Sequence, residues 1–456
     1  MKKIQAFLFD NIVTLIFVVF VTVGILVSQG LSIAFFVNEL LSRFFRNALL
    51  VLSLIIPVTA GLGLNFGIVV GALAGILAII VVRFFEIGGL PGLLLCFLLA
   101  FPLSLLFGYA TGKLFNRTRG QEMIASLIVG FFATGVYQFI VLFAIGVIIP
   151  VNPYHPMIKP DGIGLMATFD MGVHYTRVRD ASIQTPGLHN SLDWIYRAPA
   201  APALIFLSLC MLAYLIFQWK KSRKNPSLKQ IKPWRFYLNC GICVIFIGLG
   251  IYGLMFPFSS FFYEIRPIPA ATGLVIAAFC FAIHYFTKTK LGQDCRSVGH
   301  SQYIAKVSGI DVDRTRIIAT IISTALASWG MIIFLQNMGT VSTYTAHMQI
   351  GMFSVAALLV GGASTSRANV KNALVGVILF NAMFIVSPAI GRFFSGDEGV
   401  GEYTRSFMVY GVIGLALGLY IWKDVKAEAD RNKLEIRTEE DKPHELDGAK
   451  YGTHLQ

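Results

Sequence analysis

The stretch IIATIISTALASWGMIIFLQNMGTVSTYTAHMQIGMFSVAALLVGGASTS, residues 317–366, contains no Asp, Glu, Lys or Arg. A membrane-crossing helix needs about 20 mostly apolar residues, because every backbone polar group in hydrocarbon must be paired inside its own segment. The stretch is long enough for two passes, and its polar middle, 336–350, is where it divides. The charge-free run 47–82 divides in the same way near 63–65. Further charge-free runs lie at 11–28, 88–112, 123–149, 198–219, 236–263, 267–287, 372–391 and 406–422. The fold class is therefore all-α: a polytopic integral membrane protein of about 10–12 hydrophobic helical segments, with both termini cytoplasmic.

Composition points the same way. Of 456 residues, 56% are hydrophobic and only 13% charged, whereas soluble domains carry roughly 25% charged residues. Soluble globular, disordered and disulfide-stapled secreted classes are excluded. The net charge of +13 comes from 37 Lys and Arg against 24 Asp and Glu, a surplus read as cytoplasmic loops and not as a nucleic-acid surface. With the N-terminus inside, about 27 of the basic residues fall on the cytoplasmic side, a strong positive-inside bias. The loop 220–235, with seven basic and no acidic residues, is the clearest topogenic segment. Its other reading is contact with anionic membrane lipid.

The chain divides into a first membrane helix and loop at 1–46, helices at 47–149, an extracytoplasmic loop or small subdomain at 150–198, helices at 199–422 with a cytoplasmic loop at 288–316, and a charged tail at 423–456. Asp10 interrupts the approach to the first apolar run and no small-residue cleavage site follows, so the first helix is read as uncleaved. Alternating residues around 171–178 predict a short hairpin in the external loop.

Catalytic and metal chemistry find little support. Cys240 and Cys243 have CxxC spacing without a second ligand pair, and His155, His174 and His189 lack a metal-binding spacing. The sequence GYATGK at 108–113 is one residue short of a phosphate loop and is followed by Leu114 in place of Ser or Thr. No cofactor, no metal and no enzymatic activity are expected, and any ATP hydrolysis belongs to a separate subunit. The central parts of the charge-free runs hold essentially no ionisable residues, which disfavours ion-coupled carriage. Gly63, Gly67, Gly71 and Gly75 recur every fourth residue and predict a smooth helix face for close packing or for lining a narrow path. Pro57, Pro102 and Pro257 predict interruptions in helices.

The polar loop before the opening stretch carries the most specific signal. A short amphipathic helix is predicted over 297–308, ending at Gly309, with Ile304 and Val307 on its apolar side and Lys306 exposed. Such a helix suits a partner's groove. Here Gly299, Ala305 and the Ser308, Gly309, Ile310 triplet, then Ser323, Leu326, Ala327 and Gly330, and then IGMFSVAALLVGGAS at 350–364 resemble the permease subunits of bacterial ABC importers for sugars, branched-chain amino acids and nucleosides. The resemblance covers most of 47–380. It implies a multi-pass subunit of the bacterial cytoplasmic (inner) membrane that moves a small polar solute by alternating access, a monosaccharide or nucleoside in preference to a branched-chain amino acid. It further implies a cytoplasmic ABC ATPase, a second permease subunit as homo- or heterodimer, and an extracytoplasmic substrate-binding protein. The balanced charge and the aromatics Tyr154, Tyr175, Trp194 and Tyr196 of 150–198 suit either a docking surface for that protein or a lid folded on its own subunit.

By the same resemblance Gly299, Ala305, Lys306, Ser308, Gly309 and Ile310 couple the chain to the ATPase. Gly63, Asn65, Gly67, Gly71, Met352, Gly361 and Gly362 line the path or pack its helices. The chain departs from the family at 63–67, where an acidic, serine-containing motif is usual, and at Arg367 and Asn369, where glycines are usual. The alternative to an importer subunit is a self-sufficient secondary carrier or channel, and a membrane enzyme stands third.

Overall fold

The computed structural model describes residues 12–27, 32–172, 174–178, 181–185, 187–224, 233–256, 261–365, 367–397 and 399–408, with scattered positions up to 422. The described residues are mostly helical. Among the described residues seven helices are long and apolar enough to cross a membrane, and shorter apolar helices lie at Thr14–Val27, Ile68–Phe84 and Ile350–Val360.

The first helices are α1 (Ile12–Val27), α2 (Ile33–Leu52) and α3 (Ile55–Thr59). Pro57 explains the break between α2 and α3, because it has no N–H to offer the Ser53 carbonyl and its ring crowds that oxygen. The chain tightens there, with Leu54 N–H donating to the Val51 carbonyl at 3.2 Å. Gly61, at φ 72°, ends α3, and Leu62 and Gly61 donate back to the Pro57 and Val58 carbonyls, a Schellman closure that needs the left-handed residue. The run 47–82 thus divides at 60–67 before α4 (Ile68–Phe84).

Next come α5 (Gly89–Arg117) and α6 (Glu122–Phe139), the latter running into a π turn at Ile140–Ala144. Pro102 lies inside α5 without dividing it, contrary to the expected interruption, as packed membrane helices can accommodate a freed carbonyl. Pro257, residues 225–232 of the basic loop and the tail from 423 lie outside the described residues.

The segment 151–198 carries strands β1 (Thr168–Asp170), β2 (His174–Val178), β3 (Ala181–Thr185) and β4 (Arg197–Ala198). The expected hairpin is β2 with β3, antiparallel, His174 opposite Thr185. Two helices, α7 (Ala200–Lys224) and α8 (Pro233–Met255), pack on each other. Strand β5 (Ile268–Pro269) pairs with β4 and leads into α9 (Ala270–Phe286), which bends by 71° into α10 (Lys290–His300). Then follow α11 (Gln302–Val307), α12 (Val312–Met338), β6 (Thr340–Ser342), α13 (Ile350–Val360) and α14 (Val370–Ser395).

Helix α12 is the axis of the core and packs on α5, α4 and α2. Close approach is possible because the facing residues are small. A Cβ on Gly71 or Gly75 would collide with the Thr324 or Ser328 carbonyl oxygen of α12, and one on Gly108 would lie 2.8 Å from Ile321 Cα. The 27 residues of α12 span about 40 Å. They separate α10 and α11 at one end of the bundle from β6 at the other. There β6 pairs antiparallel with β1, Phe169 opposite Val341, which ties 151–198 to the end remote from α11.

A second tight crossing joins α13 to α14. A Cβ on Gly376 would collide with the Ala357 carbonyl oxygen, and one on Gly361 with that of Asn372. Backbone oxygens cannot rotate away as side chains do. Gly376→Ala is therefore expected to destabilise the folded chain by about 1–3 kcal/mol, read as a lower midpoint in a thermal scan in detergent.

Candidate functional site

The segment between α9 and α12 is built from caps. Thr289 accepts the Gly292 N–H at 3.3 Å and opens α10, and Ser301 accepts the Ile304 N–H at 3.3 Å and opens α11. The single helix expected over 297–308 is thus two helices, because Ser301 takes extended dihedrals (φ −158°, ψ 114°) to cap the second. Helix α11 closes through Gly309 at φ 80°, with Ile310 donating to the Ala305 carbonyl and Gly309 to that of Lys306. Ser308 is its C-cap.

Burial sorts these residues into anchors and surface. Ala305 is 1% exposed and packs with Val298 and Val312. Tyr303, Ile304 and Val307 are 78%, 61% and 73% exposed, so the apolar side expected at Ile304 and Val307 faces outward with Lys306 and is not folded onto the chain. Behind the helix lies a cavity of about 800 Å³ bordered by Thr59, Arg296, Gly299, Ser301, Ala305 and Arg367.

Gly299 connects this segment to the membrane helices. A Cβ there would strike the Thr59 carbonyl oxygen, and one on Gly61 would lie 2.8 Å from Gly299 Cα. Two backbones therefore touch where α3 ends. Beyond that turn, Asn65 is buried and accepts the Gly67 N–H at 2.9 Å, while the Phe66 N–H donates to Ser126 Oγ at 3.1 Å.

The expected glycine stripe is corrected here. Gly63 lies in the loop at φ 67°, Gly67 caps α4, and only Gly71 and Gly75 are on the helix. The four-residue repeat runs through a turn, so its spacing is helical in sequence alone. Met352 meets the same region, bordering with Phe66, Val69 and Gly130 a cavity of about 190 Å³. Gly361 and Gly362 lie apart from it, at the turn into α14, where Asn372 Nδ2 donates to the Gly361 carbonyl at 2.8 Å. His155 meets the Phe84 carbonyl through Nε2 at 3.1 Å and stacks on the Phe84 ring, and His189 meets the Asn190 amide.

Charge-free runs missed a second constellation. Glu39, Arg43 and Arg46 lie on α2, inside the candidate span Ile33–Thr59, and their i, i+4, i+7 spacing places them on one face. Glu39 pairs with Arg43 at 2.7 Å, and Arg43 and Arg46 lie over the rings of Phe384 and Phe334 at 4.8 and 5.4 Å. These residues border a cleft of about 390 Å³ between α2, α12, α13 and α14. Ionisable residues within a span mark functional sites by default. Their signal is present in the sequence, but the charge-free run starts only at Asn47, one residue after Arg46.

Comparison with known proteins agrees with this architecture. Residues 36–417 match the family described as "Branched-chain amino acid transport system / permease component". A stretch of 95 residues is 33% identical to the nucleoside ABC transporter permease protein NupB of Lactococcus lactis subsp. cremoris (strain MG1363), covering 20% of this chain and 26% of that relative. The match spans about a quarter of the relative's length. No solved structure matches the chain. The family match covers most of the multi-pass helical bundle, and the chain belongs to the branched-chain amino acid transport system permease component family.

Proposed function

We propose that the chain is the membrane permease of an ATP-binding-cassette importer in the bacterial cytoplasmic membrane, moving a small polar solute by alternating access. The observation that carries this reading is α11: a short helix capped at both ends, anchored by Ala305, with Tyr303, Ile304 and Val307 all exposed. Exposed apolar side chains on a rigid helix suit a partner's hydrophobic groove. In this reading α11 lies on the cytoplasmic side, both termini share that side, and a partner ATPase docks on Tyr303 to Ile310. Closure of the ATPase reaches the bundle through Gly299 and Gly61. A second permease subunit completes the pathway, and a binding protein delivers solute at 150–198, where Tyr154, Trp194 and Tyr196 are exposed and can serve as interface aromatics. The likeness to the nucleoside permease of Lactococcus supports a nucleoside as the solute.

The test is affinity purification of the tagged chain in mild detergent, followed by identification of bound subunits and uptake in cells. The wild-type chain is expected to retain a stoichiometric ATPase. Ile304→Asp, an exposed substitution that leaves the cap and Ala305 untouched, is expected to reduce retention at least tenfold, since each 1.4 kcal/mol lost is a factor of ten. Full retention and full uptake by that variant would reject α11 as the docking element.

A further inference from the structure

The cleft of about 390 Å³ between α2, α12, α13 and α14 has a chemistry of its own. It opens at the end of α12 marked by Met338, where a second lobe of about 220 Å³ continues it past Thr340, Thr345 and Gln349. This is the end remote from α11. Its walls are aromatic: Phe353 lies 5.8 Å from Phe380 and 5.7 Å from Phe384, ring centre to ring centre, and Phe334 faces Arg46.

Hydrogen-bonding capacity in the cleft is sparse and specific. Glu39 is engaged by Arg43. Asn47 donates its amide to Asn381 Oδ1 at 3.3 Å, and Asn381 donates in turn to the Val377 carbonyl. That arrangement leaves Asn47 Oδ1 as an acceptor bordering the cleft. Arg46 donates through Nη1 to Met338 Sδ, while its buried Nε has no hydrogen-bond partner among the described residues. Ser354 also borders the cleft. Arg46 itself borders the cleft, so guanidinium N–H groups other than the enclosed Nε are placed to donate to a ligand carbonyl.

We propose that this cleft is a solute subsite for a flat heterocycle bearing a lactam edge, C=O beside N–H, as in uracil or hypoxanthine nucleosides. The carbonyl accepts from Arg46, the N–H donates to Asn47 Oδ1, the ring stacks on the phenylalanines, and Ser354 is within reach of a sugar hydroxyl. Aromatic stacking holds any base, whereas the donor and acceptor on successive residues select the edge. A monosaccharide would leave most of its hydroxyls unpaired against phenylalanine, and an amino acid's ammonium would compete with Arg43 for Glu39. The assignment rests on the transporter reading above and goes further by naming the recognised edge.

The experiment is equilibrium binding of labelled inosine to the purified complex in lipid nanodiscs, with uridine, adenosine, ribose and leucine as competitors. Inosine and uridine are expected to bind at least about tenfold more tightly than adenosine, which offers an amidine edge instead. Arg46→Lys, which keeps the charge but loses the planar fork, is expected to erase that preference, and Ser354→Ala to weaken inosine while leaving the preference intact. The comparison between solutes on the unmutated protein stands even if a variant folds poorly. Absence of saturable inosine binding, equal binding of adenosine, or stronger binding of ribose or leucine overturns the proposal. The same preparation separates the two readings: a retained ATPase without inosine binding removes the subsite alone, and selective inosine binding without any ATPase upholds the subsite and removes the importer reading.

Discussion

Gly299→Val is expected to abolish solute uptake while leaving the chain inserted in the membrane. A side chain at 299 would meet the Thr59 carbonyl oxygen and lie 3.0 Å from the Gly61 N, both backbone atoms, so α10 must move off the end of α3. Overpacking of this kind costs about 1–3 kcal/mol, which a bundle with an extensive core tolerates. The functional effect is expected to exceed the stability effect because the displaced contact joins the segment proposed to dock the ATPase to the turn leading to Asn65 and α4. Gly309→Val makes a useful comparison: its Cβ would meet nothing within 4 Å, so its cost is the left-handed backbone alone, about 1–2 kcal/mol. Uptake and ATPase stimulation measured in parallel decide the matter. Gly299→Val should keep the ATPase bound yet uncoupled, and normal uptake by this variant would show that force does not pass through the Gly61–Gly299 contact.

Much of the fold was legible because one physical rule, backbone pairing in hydrocarbon, governs it. The 317–366 run divides between Gly339, in the left-handed region at φ 77°, and Ile350, within the polar stretch that sequence pointed to. The end of the segment was legible because Gly309 is a capping residue, whereas Ser301 caps and starts a second helix where a single helix over 297–308 was expected. The pairing of β1 with β6 was not legible, since register between strands about 170 residues apart is set by tertiary packing and leaves no local pattern. The α2 face was misread for the opposite reason. Treating charge as the limit of a span hid Glu39, Arg43 and Arg46, which a chain can carry in a helix when they pair, lie over rings and border a cleft.

The buried pair Arg316–Glu122 is the other place where a single change should have a large effect. Arg316 is 0% exposed at the start of α12, and its guanidinium donates to Glu122 at the start of α6 and, at 3.1 Å, to the Phe115 carbonyl near the end of α5. Asn116 adds a bond to the Asp313 carbonyl at 2.9 Å, and Arg119 pairs with the Asp313 carboxylate. Three helices are thus clamped immediately after α11. Arg316→Met leaves a buried carboxylate without its cation, and breaking a buried pair from one side costs about 3–5 kcal/mol. Removing both charges in Arg316→Met/Glu122→Met should recover most of that loss, because no desolvated charge remains. Thermal midpoints of the wild type, both single variants and the double variant in the same detergent form the cycle. A double variant as unstable as Arg316→Met would mean that shape and the Phe115 bond hold the clamp, not charge. Where stability returns, uptake should stay low under the proposed coupling through α11: α12 would be free to shift at the end next to α11, so the restored fold and the transport defect would separate what the pair contributes to folding from what it contributes to coupling.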